Sequence, residues 1–424
     1  MQIWSTLWNL LKQIPSIGQV LIAFFTGYIA LVQYRESRYN KKIENMIKAN
    51  DSLMAERSFY TRTARNLYGA QYGDAIDADA ALVCRPEWLP QSEKDLLPLR
   101  DVTLKIADEG EVWVDDDAVR RRIQHRLLPD RSETFAWEVK FHLHKNLFSL
   151  PLFALADVDS TDGACCLTLR RGEYFDFYNT CEYPAFEMAY VRRIQKKNTL
   201  ALSDLPLRHH QADLFDLTNR FAGIGIDTLT IFHNLPDESG AKHNYFLLHK
   251  RSSTAVAEGP GTYHCVPAGS FQPASETNHG DLSPYDEPEH TVLREFAEEL
   301  MGMEECAELN TAELYDVLQI EEFAKHVYYL GIGFEPLNTK TELLCALILD
   351  MDDPDVKAAS FLRECRTKQD VEKRLMVNYE GAVMLKPLTH AFVNQYARMS
   401  GATPSFRQIM QIVQKFPAFF GVDG

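Results

Sequence analysis

The residues best placed to do chemistry lie in the stretch EHTVLREFAEELMGM, Glu289 to Met303. Glu295, Glu298 and Glu299 are spaced i, i+3 and i+4, so on a helix all three project from nearly one face. Three carboxylates held that close repel one another unless a cation neutralises them. A hard divalent ion such as Mg²⁺ takes oxygen ligands of this kind and can bridge them to a diphosphate. Leu293, Phe296 and Leu300 face the opposite way and can pack on a sheet. The plainer alternative is an acidic helix face that is simply solvated.

The elements that would position this helix are legible upstream. IGIDTLTIFHN predicts a strand, DESGAKH a turn, and NYFLLHKRS a second strand ending in Lys250 and Arg251. GTYHCVPAGSFQPAS predicts a third strand running into a Pro-Ala-Gly loop at Gly269, and TELLCALILDMD a later strand. In this setting Arg294-Glu295-Phe296-Ala297-Glu298-Glu299 resembles the centre of the Nudix box, and strand, turn, strand, glycine loop, acidic helix is the order of a Nudix domain. Two features depart from that pattern. Gly280 keeps the box spacing, with Asp286 where Glu is usual, but the glycine following the third strand is Gly269, which implies an insertion in the loop. Met301 also stands where the closing glycine is expected and Gly302 follows, so the helix is expected to end one residue later, or differently. The insertion counts against hydrolysis.

The N-terminus has another character. From Ile14 to Tyr34 there is no charged side chain, and about 20 apolar residues suffice to span a bilayer. Trp4, Trp8 and Tyr34 flank the run as interfacial aromatics would, and Arg35, Arg38, Lys41, Lys42 and Lys48 follow it, against Lys12 before it. A cleaved signal peptide would show the opposite charge bias, and an amphipathic surface helix would show a charged face. The expectation is a single spanning anchor over 1–35 with the C-terminal bulk cytoplasmic, and a helical stalk over 36–60. Gln19, Ala23 and Gly27 share one helix face, and small residues there would let two helices approach for self-association.

The bulk numbers frame these readings. The 424 residues allow two or three folded units, and 46% apolar with 25% charged residues is ordinary for a globular chain. A net charge of −16 excludes a general nucleic-acid coat and hence a long nucleic-acid partner, but not a local basic pocket for a small nucleotide. The eight cysteines form no C-x-x-C pair and predict reduced, mostly buried thiols. His142 and His144 have the closest spacing to metal ligands, and a partly buried histidine pair is the plainer account of them.

Between the anchor and the acidic helix, an accessory α+β region is expected over 61–215. DVTLKIADEGEVWVDDD predicts a hairpin turning at Glu109-Gly110, DAVRRRIQHRLL a helix, WEVKFHLH a strand, ACCLTLRRGEYFDFYNT a strand pair joined at Arg171-Gly172, and EMAYVRRIQKK a helix with a basic end. The Nudix-like domain is expected over 216–352, with a helical region over 353–424. The fold class is thus α+β: a transmembrane helix and stalk, then an α+β region leading into a mixed-sheet α/β/α Nudix-like fold with C-terminal helices.

A membrane helix joined to such a domain, together with VPAGSFQP, REFAEE and CRPEWLP, resembles the SMODS-associated NUDIX family, membrane-anchored effectors of bacterial CBASS antiphage signalling. The resemblance implies a cyclic-oligonucleotide ligand, assembly into a homo-oligomer on binding, and disruption of the inner-membrane lipid bilayer. By analogy Arg251, Gly269, Phe271 and Arg294 are candidate ligand contacts, with Phe271 stacking on a base. Two alternatives stand beside this reading. One is a membrane-tethered hydrolase of a nucleoside diphosphate derivative, using Mg²⁺ on Glu295, Glu298 and Glu299. The other is a structural adaptor that binds no nucleotide.

Overall fold

A computed structural model describes residues 2–107, 123, 126–129, 134–161, 164–211, 213–252, 261–273, 286–303, 311–318, 323–359, 362–363, 365–374 and 381–423. Its strands are β1 (Leu97–Pro98), β2 (Thr103–Ile106), β3 (Pro151–Thr161), β4 (Ala164–Glu173), β5 (Ile224–Pro236), β6 (Lys242–Arg251), β7 (Tyr263–His264), β8 (Ala268–Ser270), β9 (Val327–Phe334), β10 (Thr341–Asp350) and β11 (Gly381–Pro387). An eight-stranded sheet runs β1-β9-β10-β5-β6-β11, with β7 added to β6 and β8 to β5. β10 pairs in parallel with β5 over the whole length of β10, and the other strand pairings in this sheet are antiparallel, so the sheet is mixed. Their near-continuous apolar sequences are what a strand covered on both faces requires: Ile224 through Phe232 are all buried, as are Thr341 through Leu347. β2, β4 and β3 form a separate three-stranded sheet.

The two sheets are stitched together. Phe153 on β3 donates its backbone N–H to Phe271 O at 2.9 Å, and Leu155 donates to Ala222 O at 3.0 Å. One hydrophobic core extends from Tyr68 to Phe420, so the expected divisions of the chain share their interior. β1, from the accessory stretch, closes one edge of the large sheet, and β11, from the stretch expected to be helical, closes the other. The helices expected at the C-terminus are present at His390–Ala397 and Pro404–Lys415.

At the front, α1 (Gln2–Ala55) is one continuous helix, followed directly by α2 (Arg57–Tyr72). Met46, Ala49 and Leu53 of α1 are buried, and this end packs against α3 (Tyr183–Arg193), the helix expected from EMAYVRRIQKK. Among the described residues no helix is long and apolar enough to cross a membrane. This overturns the spanning anchor expected over 1–35, and with it the single-pass inner-membrane placement. The uncharged run from Ile14 to Tyr34 carries polar residues at Gln19, Thr26 and Gln33, and Arg35, Glu36 and Arg38 follow it at once. Gln19, Ala23 and Gly27 are exposed along α1, and a Cβ at Gly27 would meet no atom within 4 Å.

Two local expectations also fail. WEVKFHLH is not a strand: Phe135–His142 is a helix, because Phe135, Ala136 and Val139 are buried at helical spacing while Trp137 and Phe141 are exposed. His142 caps no metal site there; its Nε2 lies 3.2 Å from Glu138. Arg171-Gly172 is not a turn, since β4 runs through it to Glu173. Gly172 is there for close packing, as a Cβ would stand 2.4 Å from the Phe221 ring. The hairpin at Glu109-Gly110, most of DAVRRRIQHRLL, and Gly280 with its loop lie outside the described residues.

Candidate functional site

The acidic helix is α4 (Pro288–Met301). It ends at Met301, one residue beyond the box pattern, because Gly302 takes the left-handed conformation (φ 69°) that closes a helix. Leu293, Phe296 and Leu300 are buried under it, as their spacing predicted. Glu295, Glu298 and Glu299 are half-buried on the other side.

Protein groups already hold this carboxylate cluster. Glu299 Oε2 accepts the Ala268 N–H at 3.0 Å. Arg294 Nη2 donates to Glu295 Oε1 at 2.6 Å, and the same guanidinium reaches Gln272 Oε1 at 2.9 Å and Ser270 O at 3.3 Å. Arg294, only 7% exposed, therefore ties α4 to β8. Glu295 lies so tightly on Gly269 that a Cβ there would stand 1.9 Å from its Oε1, so only glycine fits beneath this helix. Asp286, in the box position usually held by Glu, is buried in an ion pair with Arg171 Nη2 at 3.0 Å.

A cavity of about 1190 Å³ adjoins the same short strand. Ala268, Gly269 and Ser270 line it, but Glu295, Glu298 and Glu299 do not. The strand register accounts for the separation. Gly269 pairs with Ile226 and carries Glu295, whereas Asp227, the next residue along β5, points to the opposite face and lines the cavity.

The cavity is assembled from segments far apart in the chain. Arg57, Arg62 and Arg65 come from α2, Arg251 from the end of β6, Lys340 from the turn before β10, and Arg398 and Arg407 from the C-terminal helices. Asp74, Asp79, Asp227, Glu335 and Glu342 oppose them, leaving cationic groups in excess within a chain of net charge −16. Arg65 is fixed by Ala80 O at 3.2 Å and Asp77 O at 2.6 Å. Burial lowers the Arg407 pKa from its usual value. His264 lies on the sheet side of the cavity with Nε2 3.3 Å from Asp227 Oδ1, and burial pulls its pKa down to about 4 against the opposing pull of Asp227.

Of the four expected ligand contacts, Arg251 and Gly269 line this cavity. Phe271 does not: it is fully buried, with its ring centroid 4.8 Å from that of Phe153, and cannot stack on a base without leaving the core. Arg294 is bound to α4 and β8 as described. Sequence reasoning missed Arg57, Arg62, Arg65, Lys340, Arg398, Arg407, Asp227 and His264. The signal for Arg62 and Arg65 was present, since they fall at i and i+3 on one face of α2 while Tyr60, Ala64 and Tyr68 are buried on another. Nothing local marked the rest.

No protein-family model matches the chain, and no curated protein matches it either.

Proposed function

We propose that this protein is a nucleotide sensor: its Nudix-like sheet holds a cyclic oligonucleotide in the arginine-lined cavity and does not hydrolyse it. The observation that carries this reading is the separation just described. A cavity of about 1190 Å³ with arginines on several sides lies against β8, while the three helix glutamates stand outside its lining. Guanidinium groups bind phosphate oxygens in pairs with defined geometry, and a ring with a phosphate at each nucleotide presents anions in several directions at once. The volume exceeds the ~300–1,000 Å³ usual for drug-sized ligands, which suits an oligonucleotide better than a mononucleotide. Binding would drive assembly only through a difference in affinity between assembled and unassembled states.

One observation favours the alternative, Mg²⁺-dependent cleavage of a nucleoside diphosphate derivative: Glu295, Glu298 and Glu299 do share a helix face and are half-buried. They would be the ligands, and the ion would supply charge neutralisation for a diphosphate. Against it, one oxygen each of Glu295 and Glu299 is already engaged by Arg294 and by the Ala268 N–H.

The test uses the full chain with Mg²⁺ and a panel of cyclic di- and trinucleotides alongside linear dinucleoside and nucleotide-sugar diphosphates. Calorimetry measures binding, chromatography of the same samples measures breakdown, and light scattering measures mass. The reading requires one cyclic species to bind and to be recovered intact. Metal-dependent loss of a linear diphosphate, with no response to any cyclic species, would sink it.

A further inference from the structure

The sheet side of the cavity carries a side-chain cluster that the nucleotide reading does not use. Asp227 on β5, His264 on β7 and Cys265 just after it each offer one ligand atom such that all three atoms lie within 4.8 Å of one another. Asp227 Oδ1 is 3.3 Å from His264 Nε2, and Cys265 Sγ is 3.2 Å from His264 Nδ1. The three are 4%, 6% and 0% exposed. Asp227 Oδ2 is buried with no hydrogen-bond partner, an arrangement that is costly for a carboxylate without a compensating charge. Asp227 and His264 both reach the cavity, and Cys265 closes the cluster from behind.

We propose that Asp227, His264 and Cys265 bind one divalent transition metal of the zinc type, with a fourth position open to the cavity. The donor set selects the metal. One thiolate, one imidazole and one carboxylate are ligands zinc accepts, whereas Mg²⁺ and Ca²⁺ avoid sulfur. Three protein ligands with one open position is the arrangement of a zinc site that takes up water or an anionic oxygen. Without a metal the same atoms form a hydrogen-bonded chain, thiol to imidazole to carboxylate, which satisfies His264 but leaves Asp227 Oδ2 alone. Binding replaces the thiol proton, which leaves to solvent. The site does not depend on the nucleotide reading, and is distinct from the α4 glutamates, which ligate through oxygen alone.

The full chain, purified without chelator, is titrated with Co²⁺ and then with competing Zn²⁺. We expect one equivalent to bind with thiolate-to-cobalt charge-transfer absorption and the strong ligand-field bands of four-coordination, and Zn²⁺ to abolish both. Cys265→Ser removes the charge-transfer band, Asp227→Asn lowers affinity about 100-fold, and Cys166→Ser, at a half-exposed thiol on β4, changes neither. X-ray absorption of the zinc-loaded wild type provides a readout that does not depend on any variant folding. It should show one sulfur at about 2.3 Å with nitrogen and oxygen at about 2.0–2.2 Å. Binding with oxygen and nitrogen ligands only, a charge-transfer band that survives Cys265→Ser, or no stoichiometric binding would each overturn the proposal.

Discussion

The two sides of β8 make different use of charge. On one side α4 brings three carboxylates together within five consecutive residues, and the protein answers them locally with Arg294 and the Ala268 N–H. On the other side a cationic cavity is gathered from α2, β6, the turn before β10 and the C-terminal helices. The local cluster is conspicuous in the sequence and largely self-satisfied in the fold. The dispersed one is inconspicuous in the sequence and shapes the cavity against β8. Contiguity of charged residues is thus a poor guide to where unneutralised charge gathers, because a helix face can neutralise its own charges while a pocket collects charge from wherever the topology delivers it.

The comparison can be broken or sharpened in four ways. The largest effect is expected at Phe271, which belongs to the core beneath both sides. Phe271→Ala should cost about 3–5 kcal/mol in denaturant unfolding, and a loss of ligand affinity with unchanged stability would instead restore it as a base-stacking residue. Next come the cavity arginines. Arg251→Glu or Arg62→Glu should each weaken the cyclic ligand about 10- to 100-fold by calorimetry, while Glu298→Gln leaves affinity almost unchanged; the reverse ranking would move the ligand to the α4 side. Gly269→Ala should destabilise the fold by about 1–3 kcal/mol, because its Cβ must displace Glu295, and a neutral result would mean α4 moves easily off β8.

The smallest effect is a pH dependence at the start of α4. Glu289 is buried, and desolvation raises its pKa from 4.5 to about 7. Its contribution to stability is therefore complete below about 4.5 and is lost as pH rises through about 7. His290 runs the other way: burial, then Arg294, lowers its pKa from 6.5 to about 4, so its contribution is complete above 6.5 and is lost as pH falls through about 4. Glu289→Gln should raise stability by about 1 kcal/mol above pH 7 and hardly at all near pH 4.5. Parallel melting-temperature profiles for wild type and variant would show that Glu289 does not titrate as its burial requires.

Much of the sheet was legible, because β5, β6 and β10 are long apolar runs bounded by turns, and α4 has a clean helical period with its cap at Gly302. β9 and β11 were not anticipated, since strands whose role is to pair with distant partners carry little local signature. Phe135–His142 misled because its apolar residues alternate over a short window as well as recurring at helical spacing. At the site, Arg251 and Gly269 were found because they adjoin the recognisable strand-loop-helix order. Asp227 and His264 were passed over because a single polar residue inside an apolar strand looks like noise until its cross-strand neighbour is known. The apolar N-terminal run shows the converse: its pattern is strong to the eye, yet among the described residues no helix is long and apolar enough to cross a membrane.

α1 has a further consequence, one of leverage. At 1.5 Å per residue its 54 residues extend roughly 80 Å, and the buried residues Met46, Ala49 and Leu53 grip its last turns. It joins α2 at Glu56, whose carboxylate pairs with Arg192, and α2 supplies one wall of the cavity. A tilt of about 10° at that joint would sweep the far end of the helix through roughly 14 Å. On such a rigid lever a displacement of less than a bond length at Arg57 would correspond, at Gln19, to a movement of roughly 10 Å, the width of a helix.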